Sequence, residues 1–340
     1  NALNTGYPRF VYHPYTNHLM QHVVRLHGNP KLEDCLVLPT ASAAERCLAF
    51  MQQALEGNQT VDNAWIQEND DNDETWKNNN SVIRRVKAGR ELHAVLFPKM
   101  TKFAVEAKAY WQHTGEVVSS RRAEAALREL GQCPDKYVTP TRCAAVSSFD
   151  HDDTKNDSHA ELRKRIAKWT ATAAVDSDSV FLAPSGMAAI YTALRSARRY
   201  HKSGGGGKSI VFGFPYLDTL KLCSRPELVK DGVEFFGLGD AGDIENLERL
   251  LSKNPKSFSA LFTEVPSNPL LQCPDVHRLA ELAKEHDFCL IVDDTISNWL
   301  NIDVLESGLA DAVCTSLTKL VSGRGDAIAG SVVTNPHTPR

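Results

Sequence analysis

The sequence predicts an α/β protein in which a mostly parallel sheet, covered by helices on both faces, follows a smaller N-terminal α/β unit. Three observations predict it. Beyond residue 160, short apolar runs alternate with amphipathic stretches of roughly ten to fifteen residues, the pattern of strands joined by crossover helices. The first 118 residues contain two apolar runs, each followed by a helical pattern. At 340 residues, the chain exceeds one ordinary domain and can bury a large core.

In the first section, residues 1–118, Cys35–Leu38 and Leu92–Phe97 read as strands. Ser42 with Glu45 three residues on suggests a capping box for a first helix, and Lys102–Gln112 reads as a second. Between them, Glu68–Glu74 and Asn78–Asn80 make a polar surface insertion. A connector, 119–160, contains a helical stretch from Arg121 to Leu130, a Cys/Pro/Thr-rich segment and the acidic run Asp150–Asp153, read as a solvated loop. The third section, 161–340, alternates helix Ala160–Trp169, strand Ser179–Leu182, a helix from Gly186, and strands Ser209–Phe212 and Gly232–Phe236. It continues with helix Asp243–Leu251, strand Ala260–Glu264, helix Asp275–Glu285, and strands Phe288–Val292 and Ala312–Cys314.

Hydrophobic content of 42%, charged content of 24% and a net charge of −4 are ordinary for a globular protein and leave no basic footprint for nucleic acid or an anionic membrane. No apolar run approaches the roughly 20 residues of a spanning helix, and the N-terminus carries no signal-peptide pattern. Without an initiator Met, the chain is expected to be trimmed. Eight cysteines lack any C-x-x-C pair, and several sit in apolar runs, which suits reduced thiols in the cytoplasm.

Ligands of such sheets gather at the carboxyl ends of the strands. Four features fall there: Ser185-Gly186-Met187, Tyr216, Asp293, and Ser316-Leu317-Thr318-Lys319. The first opens a helix, whose free N–H groups suit a phosphate dianion, and Gly lets backbone and ligand approach closely. Tyr216 can lay its ring over a planar ligand. Asp293 ends an apolar strand, where a carboxylate needs a partner such as a pyridinium N–H; a helix cap or a metal site would also suit the pair Asp293-Asp294. Alternation turns Asp294 to the other side. Lys319 follows two hydroxyls, Ser316 and Thr318, placed by alternation on one side to reach a phosphate. An amine able to lose its proton and an acid that protonates a ring nitrogen are what pyridoxal 5'-phosphate (PLP) requires. Beside a cationic cofactor and partly desolvated, Lys319 is expected to serve as a general base.

Two other patterns are set aside. Gly204–Ser209 suggests a P-loop, but Lys202 stands where the first Gly belongs, and a helix precedes the run. His18 and His22 lie one helical turn apart with no third ligand at metal spacing, so no metal is expected.

Ser185-Gly186-Met187, Pro215-Tyr216, Glu264–Pro269, Val292–Thr295 and Ser316–Lys319 resemble, in order and spacing, the Cys/Met-metabolism PLP enzymes. With Val292-Asp293-Asp294-Thr295-Ile296, Gly6–Phe10 and Trp111–Gly115, the chain is most similar to fungal cystathionine γ-synthases. The resemblance implies the aspartate-aminotransferase-type fold (fold type I). It implies that Lys319 carries the cofactor covalently and acts in catalysis with Tyr216, which stacks on the ring. Asp293 would pair with the ring nitrogen; Ser185, Gly186, Met187, Ser316 and Thr318 would hold the phosphate; Asn268 would lie near the phenolic oxygen; and Ser267 would touch substrate. The implied activity is γ-replacement on an O-acyl- or O-phosphohomoserine by a thiol such as cysteine, in a homo-oligomer. A lyase of the same family and a non-catalytic PLP-binding module are the alternatives. Two departures stand out: the family's phosphate-binding Tyr-x-Arg pair is not found before Ala160, Tyr137 and Arg142 being poor substitutes, and the family continues past Val333 into a C-terminal domain. The chain is accordingly expected to be a piece of a longer protein or to bind substrate incompletely.

Overall fold

The computed structural model describes residues 11–56, 83–89, 91–134, 158–170, 172–201, 206–305, 308–323 and 327–338. The insertion at 68–80, the acidic run at 150–153, Tyr137, Arg142 and the first two glycines of the run, Gly204 and Gly205, lie outside them. Two compact units emerge, one of residues 1–112 with 116–148 and one of residues 113–115 with 149–340.

In the first unit, α1 (Pro14–His27), β1 (Glu33–Leu38), α2 (Ala41–Glu56), β2 (Arg84–Lys87), β3 (His93–Pro98), α3 (Lys102–Thr114) and α4 (Ser120–Glu129) build a three-stranded antiparallel sheet, order β1-β3-β2, with helices packed on it. Leu19, Val23, Val37, Leu96 and Leu127 form its core. The first helix cap differs from expectation: Thr40 Oγ1, not Ser42, accepts from Ala43 N–H at 3.1 Å, while Glu45 pairs outward with Arg85 at 3.0 Å. α1 was not anticipated, although Pro14 at its start and the His13 side chain accepting from Tyr15 N–H are ordinary start signals.

The second unit contains α5 (Ser158–Trp169), β4 (Val180–Ala183), α6 (Gly186–Tyr200), β5 (Lys208–Phe212), α7 (Leu217–Ser224), β6 (Val233–Phe236) and α8 (Ala241–Lys253). β7 (Phe258–Glu264), α9 (Val276–His286), β8 (Cys289–Asp293), the short α10 (Asn298–Asn301), β9 (Ala312–Thr315) and β10 (Gly330–Thr334) follow. The strand order is β4-β10-β9-β8-β7-β5-β6; the run from β9 to β6 is parallel, and β10 lies antiparallel between β9 and β4. With β10 reversed, β4 runs in the same sense as β9. All the strands but β10 therefore point their carboxyl ends to one edge.

The period of two in each strand sorts the core into two layers. Phe212, Leu261, Leu290, Val292 and Val313 face Ile166, Leu247, Leu251, Leu279 and Leu282 of α5, α8 and α9. Val211, Ala260, Phe262, Ile291 and Cys314 face Ile190, Leu194 and Leu222 of α6 and α7. Such two-sided burial explains why these strands read as continuous apolar runs. The same alternation continues to the strand ends: Glu264 and Asp293 share the parity of Phe262 and Ile291 and point to the α6/α7 side.

Candidate active site

At the carboxyl edge, Glu264 ends β7 and Asp293 ends β8, directly paired in register. Both border a narrow crevice lined also by Ile190, Pro215, Thr219 and Phe262. Asp293 is surrounded by protein yet keeps part of its surface accessible. Desolvation pushes its carboxyl above the usual range, opposed by Thr295, whose N–H donates to Oδ1 at 3.0 Å. Glu264 is pushed up to about 7, first by desolvation and then by the Asp293 carboxylate. Two acids side by side with raised affinity for protons form a site that favours an incoming cation.

Asp294 turns to the opposite side, as alternation predicts, and accepts from the Thr315 hydroxyl. Its Oδ2 is buried with no hydrogen-bond partner, and desolvation pushes the group up to about 8. A carboxyl whose folded pKa is raised stabilises the fold fully below its unfolded value, near 4, and loses that contribution as pH climbs through the folded value. Between about pH 4 and pH 8, the cofactor-free protein is expected to lose stability as pH rises, and Asp294→Asn should flatten that slope. Urea titrations across this range check it; parallel slopes in both proteins would refute it.

α6 starts at the same edge. The Ser185 side chain accepts from Ala188 N–H at 3.0 Å and its carbonyl from Ala189 N–H at 3.1 Å, leaving the N–H groups of Gly186 and Met187 without a partner among the described residues. Ser185 Oγ itself donates to Gly115 O at 2.8 Å, so this hydroxyl is spent on the backbone. A Cβ on Gly186 would lie 2.7 Å from Ser316 Cβ and 3.0 Å from its Oγ. Gly186 therefore lets the start of α6 pack directly against Ser316, which brings the unpartnered N–H groups of the helix start and the Ser316 hydroxyl together, a donor set that suits an oxyanion.

Beyond β9 the chain turns, and this changes the expectation for the segment. Ser316 N–H donates to Thr295 Oγ1 at 2.9 Å, but from Leu317 the backbone leaves extended geometry, so Ser316 and Thr318 do not share a side by alternation. The buried Thr318 hydroxyl instead exchanges hydrogen bonds of 3.2 Å with Ala329 O and Ala329 N–H, bracing the start of β10. Lys319 lies on this turn, past the strand rather than within it, and without a cofactor it is exposed. Tyr216 starts α7 and is 38% exposed, available as a surface for a flat ligand. The loop after β7 closes on itself, Ser267 N–H donating to Gln272 O at 2.9 Å, and Asn268 N–H reaches Glu264 Oε2 at 3.3 Å.

The sequence reading gave no role to Glu264, Thr295 or Thr315. Glu264 was legible in principle: like Asp293, it is a carboxylate ending an apolar strand, two residues beyond Phe262.

A family model described as Cys/Met metabolism PLP-dependent enzyme matches residues 136–339. The chain belongs to this family. A second model, the N-terminal domain of fungal trans-sulfuration enzymes, matches residues 15–119. A cystathionine γ-synthase-like enzyme of Amanita muscaria is 32% identical over 381 residues, covering 98% of this chain and 61% of its own. The cystathionine γ-synthase of Neurospora crassa is 28% identical, with 98% and 65% covered. An alanine racemase of Aspergillus violaceofuscus is 36% identical over 263 residues, 73% of this chain and 43% of its own. The chain thus spans less than two thirds of the length of these relatives. Among solved structures, a putative O-acetylhomoserine (thiol)-lyase of Campylobacter jejuni aligns with 25% identity and a TM-score of 0.42, over 53% of this chain and 40% of that one.

The family is PLP-dependent, and the described residues fit that cofactor. The helix-start N–H groups of Gly186 and Met187, packed beside Ser316, suit a phosphate, and the paired carboxylates suit a protonated ring nitrogen.

Proposed function

We propose that the protein catalyses γ-replacement on an O-acyl- or O-phosphohomoserine, with cysteine or another thiol as the nucleophile, in the manner of a cystathionine γ-synthase. One observation carries the cofactor assignment: Asp293, Gly186 and Ser316 meet at one edge of the sheet, and Lys319 follows on the turn. The choice of reaction rests on similarity to cystathionine γ-synthase-like proteins along 98% of the chain.

When bound, PLP supplies an electron sink for the bonds at the substrate's Cα. In this reading, the chain's own groups do the rest. The N–H groups of Gly186 and Met187 and the Ser316 hydroxyl bind the phosphate, while Ser185 and Thr318, held by Gly115 and Ala329, fix the walls around it. Asp293 would hold a proton on the ring nitrogen, Tyr216 would cover one ring face, and Asn268 would lie beside the phenolic oxygen. Lys319 Nζ would anchor the cofactor and, as a general base, would take the proton from the substrate's Cα. In the net reaction, the Cγ–O bond breaks, the acyloxy or phosphate group departs with the thiol's proton, and an S–Cγ bond forms.

We also propose a homo-oligomer. Phe214, Leu217, Leu238, Leu270 and Leu320, in the segments after β5, β6, β7 and β9, are exposed apolar side chains around the site's edge, which a second subunit would cover.

Incubating the cofactor-loaded protein with an activated homoserine, with and without cysteine, tests the reaction. A thioether product formed only with the thiol is expected. Release of a 2-oxo acid and ammonia without thiol would make the protein a lyase. Conversion of L- to D-alanine, with no leaving group lost, would favour the chemistry named for the Aspergillus relative.

A further inference from the structure

Glu264 stands out because both of its carboxylate oxygens are engaged, and by two different loops. Oε1 accepts from the backbone N–H of Tyr216 at the start of α7, and Oε2 from the backbone N–H of Asn268 in the loop after β7, at 3.3 Å. The same side chain is the register partner of Asp293 and borders the same crevice. One carboxylate therefore ties together two groups that would surround the cofactor ring, the residue over its face and the residue beside its phenolic oxygen, next to the acid at its nitrogen.

We infer that Glu264 is a positioning residue for the PLP ring, a bracket that fixes the Tyr216 and Asn268 backbones against Asp293. The inference rests on the cofactor reading above. Its chemistry requires a carboxylate specifically, because two backbone N–H groups need two acceptor oxygens. Glutamine keeps the shape but has one oxygen, so either orientation of its amide sets an NH2 against a backbone N–H. Aspartate has both oxygens but is one methylene too short to span the loops.

The test is E264Q in the full chain, titrated with PLP and followed by visible circular dichroism of the bound cofactor. The expected result is an affinity lower by about tenfold or more, the usual scale for losing a charge-assisted hydrogen bond and gaining an opposed donor. The cofactor's induced dichroism should be weakened even at saturation. A residue that served stability alone would shift the thermal midpoint but leave that signal intact at saturation. Wild-type affinity and dichroism in E264Q would overturn the inference. Failure of the unaltered protein to bind PLP would instead overturn the cofactor reading. If E264Q does not fold, hydrogen exchange on the unaltered protein decides: amides of Tyr216 and Asn268 that are protected, and further protected by PLP, support the bracket, and open exchange in both states refutes it.

Discussion

Replacing Lys319 with Ala is expected to abolish turnover, by at least about 10⁴-fold, and to remove the visible absorption of a lysine-linked cofactor. The size of the effect follows from two losses at one atom. Nζ is proposed both to anchor the cofactor and to carry the Cα proton, and alanine supplies neither an amine nor a base. Few other groups stand ready to take over: in the proposed site Asp293 would be committed to the ring nitrogen, and the Thr318 hydroxyl is held by Ala329. The exposed position of Lys319 on the turn after β9 is consistent with a side chain that must swing between an anchored and a free state. The fold should survive, because the segment is held by bonds that do not use the lysine side chain. Lys319 N–H donates to Ser316 O at 3.1 Å, Gly323 N–H donates to Lys319 O at 2.8 Å, and Leu317 is buried. Borohydride reduction and peptide mapping provide the check: a pyridoxyl adduct at Lys319 in the unaltered protein and none in the variant. Persistence of turnover together with the absorption band would refute the assignment.

The parallel half of the sheet was legible because β5, β7, β8 and β9 are apolar on both faces, and such runs announce themselves whatever surrounds them. Alternation then placed Asp293 and Asp294 on opposite sides correctly, because the strand geometry persists to its last residue. The same rule failed at Ser316 and Thr318, where the backbone had already turned. Elements that depend on distant partners were harder to read. β2, Arg84–Lys87, is half polar and becomes a strand by pairing with β3, and β10 is a strand because β4 and β9 accept it between them. α7 is only eight residues long and follows Tyr216, so its short apolar pattern carries little periodic signal. The role of Glu264 was hidden for a different reason. Its partners are backbone N–H groups 48 and 4 residues away, and backbone donors leave no mark in a sequence.

Asp293→Asn is expected to separate activity from stability in opposite directions. Asparagine retains the oxygen that accepts from Thr295 N–H, so the local geometry should hold. It cannot keep a proton on a ring nitrogen, and the electrons released at Cα would then have a poorer sink; a loss of turnover of about 10³-fold is the expected scale for removing such electrostatic support. Lys319 remains, so the lysine-linked absorption should persist, which distinguishes this variant from Lys319→Ala. In the cofactor-free protein, the sign reverses. Asp293 is desolvated beside Glu264, and its raised pKa means that ionising it costs stability that is intact below its unfolded pKa and lost as pH rises through the folded value. Asparagine removes that cost, so above neutral pH the cofactor-free variant should melt at a higher temperature than the unaltered protein. Such a pairing, lower activity with greater stability, is what a group retained for chemistry at the expense of the fold would produce. A variant as active as the unaltered protein would remove Asp293 from the ring nitrogen. One that melts lower at every pH would show that the carboxylate stabilises the fold and is not a strained acid awaiting a cation.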